Sequence, residues 1–173
     1  LYGAHREQMD KLDDLGIEYD VVPGVSSFCG AAAALNAEYT LPNVSQSVII
    51  TRMEGRTPVP EGEKLRLMAS HGCTMVLFLS TSLLEGAVEE LLAGGAYTAD
   101  TPAAIVYKAT WPDQQVWHCT VGTLVQAAKE AGVKNTALIT IGGFLGDAYA
   151  SSQIAFLSFF GSSSGFFVSR PIP

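Results

Sequence analysis

Apolar residues recur at helical spacing in some stretches of this chain and as short unbroken runs in others, with Gly and Pro marking the changes. Leu1 to Gly16 predicts a helix with Met9, Leu12 and Leu15 on one side, closed by Gly16 where a left-handed C-terminal cap is usual. Tyr19-Asp20-Val21-Val22 is β-favouring and predicts a strand that stops at Pro23-Gly24. A small-residue helix follows, capped by Ser26 or Ser27 and thin over Ala31 to Leu35, so that another element can pack closely on it. Thr40-Leu41-Pro42 is expected to end it, because a residue before proline is pushed out of helical geometry. The pattern then restarts, which sets a domain boundary near Val44 to Gln46.

Val48-Ile49-Ile50-Thr51 reads as a buried strand that delivers Arg52 and the following loop to its C-terminal end. Glu63 to Ser70 is a short helix closed by Gly72, and Thr74 to Ser80 is a second apolar strand. Ser82 and Glu85 have the spacing of a capping box, and Leu83, Leu84, Ala87, Val88, Leu91 and Leu92 draw one apolar stripe as far as Gly94-Gly95. Ala103 to Tyr107 and Gln115 to Cys119 are expected to pair as a hairpin. Leu124 to Ala131 is a helix with Gly132 after it, and Ala137 to Ile141 is the last strand. Alternation of this kind predicts an α/β fold with a mixed sheet. No internal repeat and no Gly-x-Gly-x-x-Gly run is present.

Composition narrows the function. Of 173 residues, 48% are hydrophobic and 16% charged, within the range of globular domains. The formal net charge of −7 repels polyanions, so nucleic acid is an unfavourable partner. Cys29, Cys73 and Cys119 form no Cys-x-x-Cys pair, and His5, His71 and His118 are scattered, so neither a disulfide framework nor a metal site is expected. The N-terminus carries no basic region followed by an apolar run, which predicts a cytoplasmic protein. Ala148 to Ser169 has no charge, but its many serines and Gln153 make it too polar for a spanning helix.

Several segments together resemble the tetrapyrrole (corrin/porphyrin) methylase family, most closely its precorrin-4 C11-methyltransferase branch. Leu1-Tyr2-Gly3 is similar to the end of the family's Gly-Asp-Pro-x-Leu-Tyr-Gly motif, and Val22-Pro23-Gly24-Val25-Ser26-Ser27 to a segment that passes beside its bound cofactor. Thr51-Arg52-Met53-Glu54-Gly55-Arg56-Thr57-Pro58-Val59-Pro60-Glu61 is the most selective likeness to the precorrin-4 branch. Ala109-Thr110-Trp111-Pro112-Asp113-Gln114, with Gly122-Thr123-Leu124 after it, is the fourth.

The resemblance implies an S-adenosylmethionine-dependent C-methyltransferase of cobalamin biosynthesis, a cytoplasmic homodimer that uses no metal and acts on C11 of precorrin-4 or cobalt-precorrin-4. It divides the chain into 1–46, the C-terminal part of an N-terminal methylase domain; 47–147, a complete C-terminal α/β domain with a mixed sheet; and 148–173, an atypical tail with Phe156, Phe159, Phe160, Phe166 and Phe167 among Ser and Gly. Carried over residue by residue, Leu1, Ser26, Ser27, Leu79, Ala109, Ala137 and Leu138 would line the cofactor site. Leu79 reads equally as a core leucine at a strand end. A polycarboxylate substrate calls for concentrated positive charge, and Arg52, Arg56 and Lys108 are the candidates. For Arg56 the rival is a solvated loop cation, and Asp113 and Gln114 are read as capping the Pro112 turn, with substrate contact as the alternative. No catalytic residue is assigned.

Rival readings are methylation of uroporphyrinogen III or another precorrin, a module kept only for binding or assembly, and a generic nucleotide-binding fragment. The Gly55-Arg56-Thr57-Pro58 loop favours precorrin-4, and the missing phosphate loop counts against the last. Because the sequence starts inside the first motif, these 173 residues alone are expected to be inactive or nearly so. Methyl-transfer assays against an N-terminally extended version test this, and equal turnover refutes it.

Overall fold

The last strand among the described residues lies in the middle of the sheet. In the computed structural model, which describes residues 4–55, 57–78 and 83–146, the helices are α1 (His5–Asp14), α2 (Ser27–Leu35), α3 (Leu65–Ala69), α4 (Leu84–Ala93) and α5 (Leu124–Glu130). The strands are β1 (Val48–Thr51), β2 (Thr74–Phe78), β3 (Pro102–Tyr107), β4 (Gln115–Thr120) and β5 (Ala137–Ile141), in the sheet order β1-β2-β5-β3-β4. β1 and β2 are parallel, and the other pairings are antiparallel. The α/β fold with a mixed sheet is as expected, and so is the β3–β4 hairpin.

β5 reads Ala-Leu-Ile-Thr-Ile and every residue of it is buried, as an interior strand covered on both faces must be. Side-chain alternation then divides the core. Met75, Leu77, Ile105, Ile139 and Ile141 face α3, α4 and α5, while Val76, Val106 and Leu138 face Ala31 of α2. The stripe on α4 buries Leu84, Ala87 and Leu91 as expected, whereas Leu92 at its edge is 38% exposed.

The link from α2 to β1 is fastened by polar bonds between irregular segments. Thr74 Oγ1 donates to the Tyr39 carbonyl (2.6 Å), the Thr74 N–H donates to Ser45 Oγ (3.0 Å), and Tyr39 OH donates to the Phe28 carbonyl (2.7 Å). Burial pushes the Tyr39 phenol up to about 12, so it stays a neutral donor throughout the physiological range. Tyr97 OH likewise donates to the Cys73 carbonyl.

Several expectations need correction. Tyr19–Val22 forms no strand; Val21 and Val22 are 64% and 85% exposed, because no strand among the described residues offers them hydrogen bonds. The first helix spans His5–Asp14 and buries none of its residues, leaving Leu15 exposed beyond its end. α2 stops at Asn36, not at Pro42: Asn36 takes φ +49° and the Ala37 N–H returns to the Ala32 carbonyl. β1 is half-buried, as the edge position dictates. The Glu63–Ser70 helix divides into a 3-10 turn at Glu61–Glu63 and the short α3. Ser82 lies outside the described residues, and the Glu85 carboxylate meets Lys129 (2.7 Å). A capping box occurs instead at Thr120 and Thr123. Among the described residues no helix is long and apolar enough to cross a membrane.

Cys119 on β4 is half-buried, and burial lifts its thiol to about 11, whereas Cys29 on α2 is exposed. Only the thiolate attacks an alkylating reagent, so at pH 8 iodoacetamide should label Cys29 well ahead of Cys119. Peptide mass mapping over time reads the order; simultaneous labelling would contradict this placement of β4.

Candidate functional site

The C-terminal ends of β2 and β3 and the start of β5 meet at one edge of the sheet, the kind of place where open α/β sheets bind ligands. The chain leaves β3 through a corner with two non-glycine residues in left-handed backbone, Lys108 (φ +48°) and Thr110 (φ +73°), and enters β5 through a third, Thr136 (φ +56°). Such backbone is sterically costly for a β-branched residue, by roughly 1–3 kcal/mol each, and persists only where neighbours over-determine it. Here they do. The Lys108 N–H donates to the Thr136 carbonyl (2.9 Å), the Trp111 N–H to the Lys108 carbonyl (2.9 Å) and the Gln114 N–H to the Trp111 carbonyl (3.1 Å). The Thr110 N–H donates to Gln114 Oε1 (2.7 Å).

These corners frame a cavity of about 180 Å³. Phe78, Val106 and Leu138 give it an apolar floor from three adjacent strands; Ser27 closes it from α2; Lys108, Ala109, Trp111, Thr136 and Ala137 form the rim. Ser27, the pair Lys108 and Ala109, and the pair Ala137 and Leu138, expected on three separate segments, are therefore neighbours. Ser26 is the N-cap residue of α2, one position before the lining, and its side chain makes no capping bond. Leu1, Arg56 and Leu79 lie outside the described residues, although Phe78 immediately before Leu79 lines the cavity. Arg52 is not among the lining residues: its guanidinium donates to the carbonyls of Thr57 (3.1 Å) and Pro58 (2.9 Å), folding its own loop.

The Lys108 ammonium pairs with the Asp113 carboxylate and lies over two rings, 5.1 Å from the Tyr107 centroid and 5.3 Å from that of Trp111. Its hydrogen bond to Asp113 raises the Lys108 pKa and lowers that of Asp113, so both are charged at neutral pH. Asp113 and Gln114 thus hold the turn, as read from the sequence. Thr136, whose carbonyl accepts from the Lys108 N–H, and Trp111, whose carbonyl accepts from the Gln114 N–H, carried no assignment beforehand. A threonine in left-handed backbone runs against its own preference, so nothing local announces Thr136.

Gly30 is a second residue the sequence did not single out. A Cβ there would stand 2.9 Å from Thr110 Cγ2 and 3.6 Å from Ala109 Cβ. The absence of a side chain is what lets α2 seat against the strained corner.

In chemical terms this is a base-sized recess with an apolar floor, a hydroxyl, a paired cation and small residues that leave backbone groups within reach of a ligand. Among the described residues it holds no nucleophile–base pair, and its geometry suits binding and orientation.

The family description Tetrapyrrole (Corrin/Porphyrin) Methylases matches residues 1–125. A protein of Methanocaldococcus jannaschii named cobalt-precorrin-4 C(11)-methyltransferase is 48% identical over 149 residues, which cover 86% of this chain and 57% of that protein. A Pseudomonas aeruginosa protein named precorrin-4 C(11)-methyltransferase is 42% identical over 155 residues, covering 89% and 61%. The X-ray structure of a cobalt precorrin-4 methyltransferase superposes with a TM-score of 0.80 at 46% identity, covering 84% of this chain and 61% of that one. The chain thus spans somewhat more than half the length of the relatives it matches.

The Gly30 contact generates a double-mutant test. In Gly30→Ala the gain in helix propensity, about 1 kcal/mol, is outweighed by a clash costing about 1–3 kcal/mol, a net loss on the order of 1 kcal/mol. In a Thr110→Gly background the clashing methyl is absent, and the same substitution should stabilise. Urea unfolding of the four proteins measures the cycle; an equal loss in both backgrounds would show that the contact does not govern the site.

Proposed function

The chain belongs to the tetrapyrrole (corrin/porphyrin) methylase family, and we propose that it carries much of an S-adenosylmethionine-dependent methyltransferase acting on C11 of precorrin-4 or its cobalt form. The carrying observation is that Ser27, Ala109 and the adjacent pair Ala137 and Leu138, from three separate stretches of sequence, line one recess at the sheet's edge. The recess is of the size of a purine base and far too small for a four-pyrrole ring, so the adenosine end of the donor goes there. Ser26, Leu1 and Leu79 extend the same proposed site.

When bound, the sulfonium supplies an already activated methyl group, so no nucleophilic side chain is needed. The protein's work is alignment of donor and acceptor, worth on the order of 7 kcal/mol at the lower end for well-oriented reactants. The acceptor carries several carboxylates while the chain carries a net charge of −7, so local cations matter. Arg52 serves the proposed substrate side by shaping the 53–58 loop through its bonds to Thr57 and Pro58, and Arg56 in that loop is the proposed carboxylate ligand. Lys108 stands at the junction of the two sides. In this reading 47–147 is one methylase domain, residues 1–46 belong to another, and the enzyme works as a cytoplasmic homodimer.

The 42–48% identity to proteins named for precorrin-4 favours that acceptor over uroporphyrinogen III. In the N-terminally extended protein, mass spectrometry should find a methyl group added to precorrin-4 or its cobalt form, and a product from uroporphyrinogen III alone would refute the assignment. Ser27 is exposed at the mouth of the recess, so Ser27→Phe should block it without unfolding α2. Calorimetry with S-adenosylhomocysteine is expected to show binding that Ser27→Phe weakens at least about tenfold, roughly 1.4 kcal/mol, at an unchanged unfolding midpoint. Undiminished affinity in the variant would move the cofactor elsewhere.

A further inference from the structure

Lys108 is where the backbone and the side chains of the recess meet. Its N–H reaches Thr136, its carbonyl receives the Trp111 N–H, its φ is +48°, and the residue lines the recess. The side chain is 23% exposed, its ammonium engaged by Asp113 and lying 5.3 Å from the Trp111 ring centroid and 5.1 Å from that of Tyr107. Trp111 is the opposite case: it forms a wall of the recess yet is 55% exposed, on a loop beyond the end of β3. A half-exposed indole on a loop keeps rotamer freedom unless something holds it, and ordering it on binding would weaken the ligand's grip. A cation within about 6 Å of the ring face supplies such a hold through the ring quadrupole.

We propose that Lys108 is a positioning residue, whose ammonium, tethered by Asp113, fixes the Trp111 indole as a pre-set wall of the recess rather than receiving a substrate carboxylate. The charge reading agrees with this, since Asp113 already balances the cation that a carboxylate would seek. Arg56 and the loop shaped by Arg52 then carry the substrate side. The consequence for ligand affinity rests on the cofactor reading of the recess given above, while the hold on Trp111 exists without any ligand.

These 173 residues hold two tryptophans, so Trp117→Phe within them leaves Trp111 as their only indole. In that background, Lys108→Met and Lys108→Arg are compared with the parent by acrylamide quenching and fluorescence anisotropy without ligand, and the same substitutions are then compared by calorimetry with S-adenosylhomocysteine in the N-terminally extended protein. Lys108→Met should make Trp111 more quenchable and more mobile and weaken binding roughly three- to tenfold, the range of a partly desolvated cation–ring contact. Lys108→Arg, which keeps charge and stacking, should restore both. Unchanged quenching in Lys108→Met overturns the proposal, and so does a freed Trp111 with unchanged affinity. Failure of the parent to bind overturns the cofactor reading of the recess alone, because the ligand-free comparison still decides whether Lys108 holds Trp111.

Discussion

The sheet and the helices packed on it are arranged around the insertion of β5 between β2 and β3. A strand with hydrogen-bonded neighbours on both edges and cover on both faces cannot slip by one residue without sending a whole set of side chains to the wrong side. The register Leu77↔Ile139↔Ile105 therefore settles which residues face α3, α4 and α5. Offset by one residue, Val76, Leu138 and Val106 face α2. The recess inherits its floor from that second set, so the packing that stabilises the domain also determines what a ligand would touch.

Above that floor the structure departs from local preference. Lys108, Thr110 and Thr136 adopt backbone that their side chains disfavour, and the bonds among Lys108, Thr136, Trp111 and Gln114 hold them there. Elsewhere among the described residues positive φ falls on glycines or on Asn36 and Asn43, residue types that tolerate it, so the strain of a lysine and two threonines is concentrated at this end of the sheet. The paired Lys108 and Asp113, with the rings of Tyr107 and Trp111, complete the rim. In the proposed reaction, methyl transfer from an activated donor, such a rim would serve the alignment of donor and acceptor.

The α2 side shows how a second segment is attached. Gly30 permits close approach to Thr110, Ala31 enters the core, and Tyr39, Ser45 and Thr74 bond across the connection. By contrast Val21, Val22 and Val25 remain exposed. A β-favouring sequence becomes a strand only when another strand supplies its hydrogen-bond partners, and that condition is tertiary.

The sequence by itself determined the elements with strong periodicity or clear punctuation: the α4 stripe, the β3–β4 hairpin, the bounds of β5 and the glycine-ended turns. It also carried the family likeness, since loops such as Ala109 to Gln114 are recognisable in one dimension. Only the tertiary structure decided that β5 would divide β2 from β3, that Arg52 would turn inward on its own loop, and that Ser27, Ala109 and Leu138 would share a wall with Thr136 and Trp111. Strand order and backbone strain depend on contacts between segments distant in sequence. Propensity and spacing report on neighbours along the chain, and a site assembled from four separate stretches becomes visible only once the sheet has brought them together.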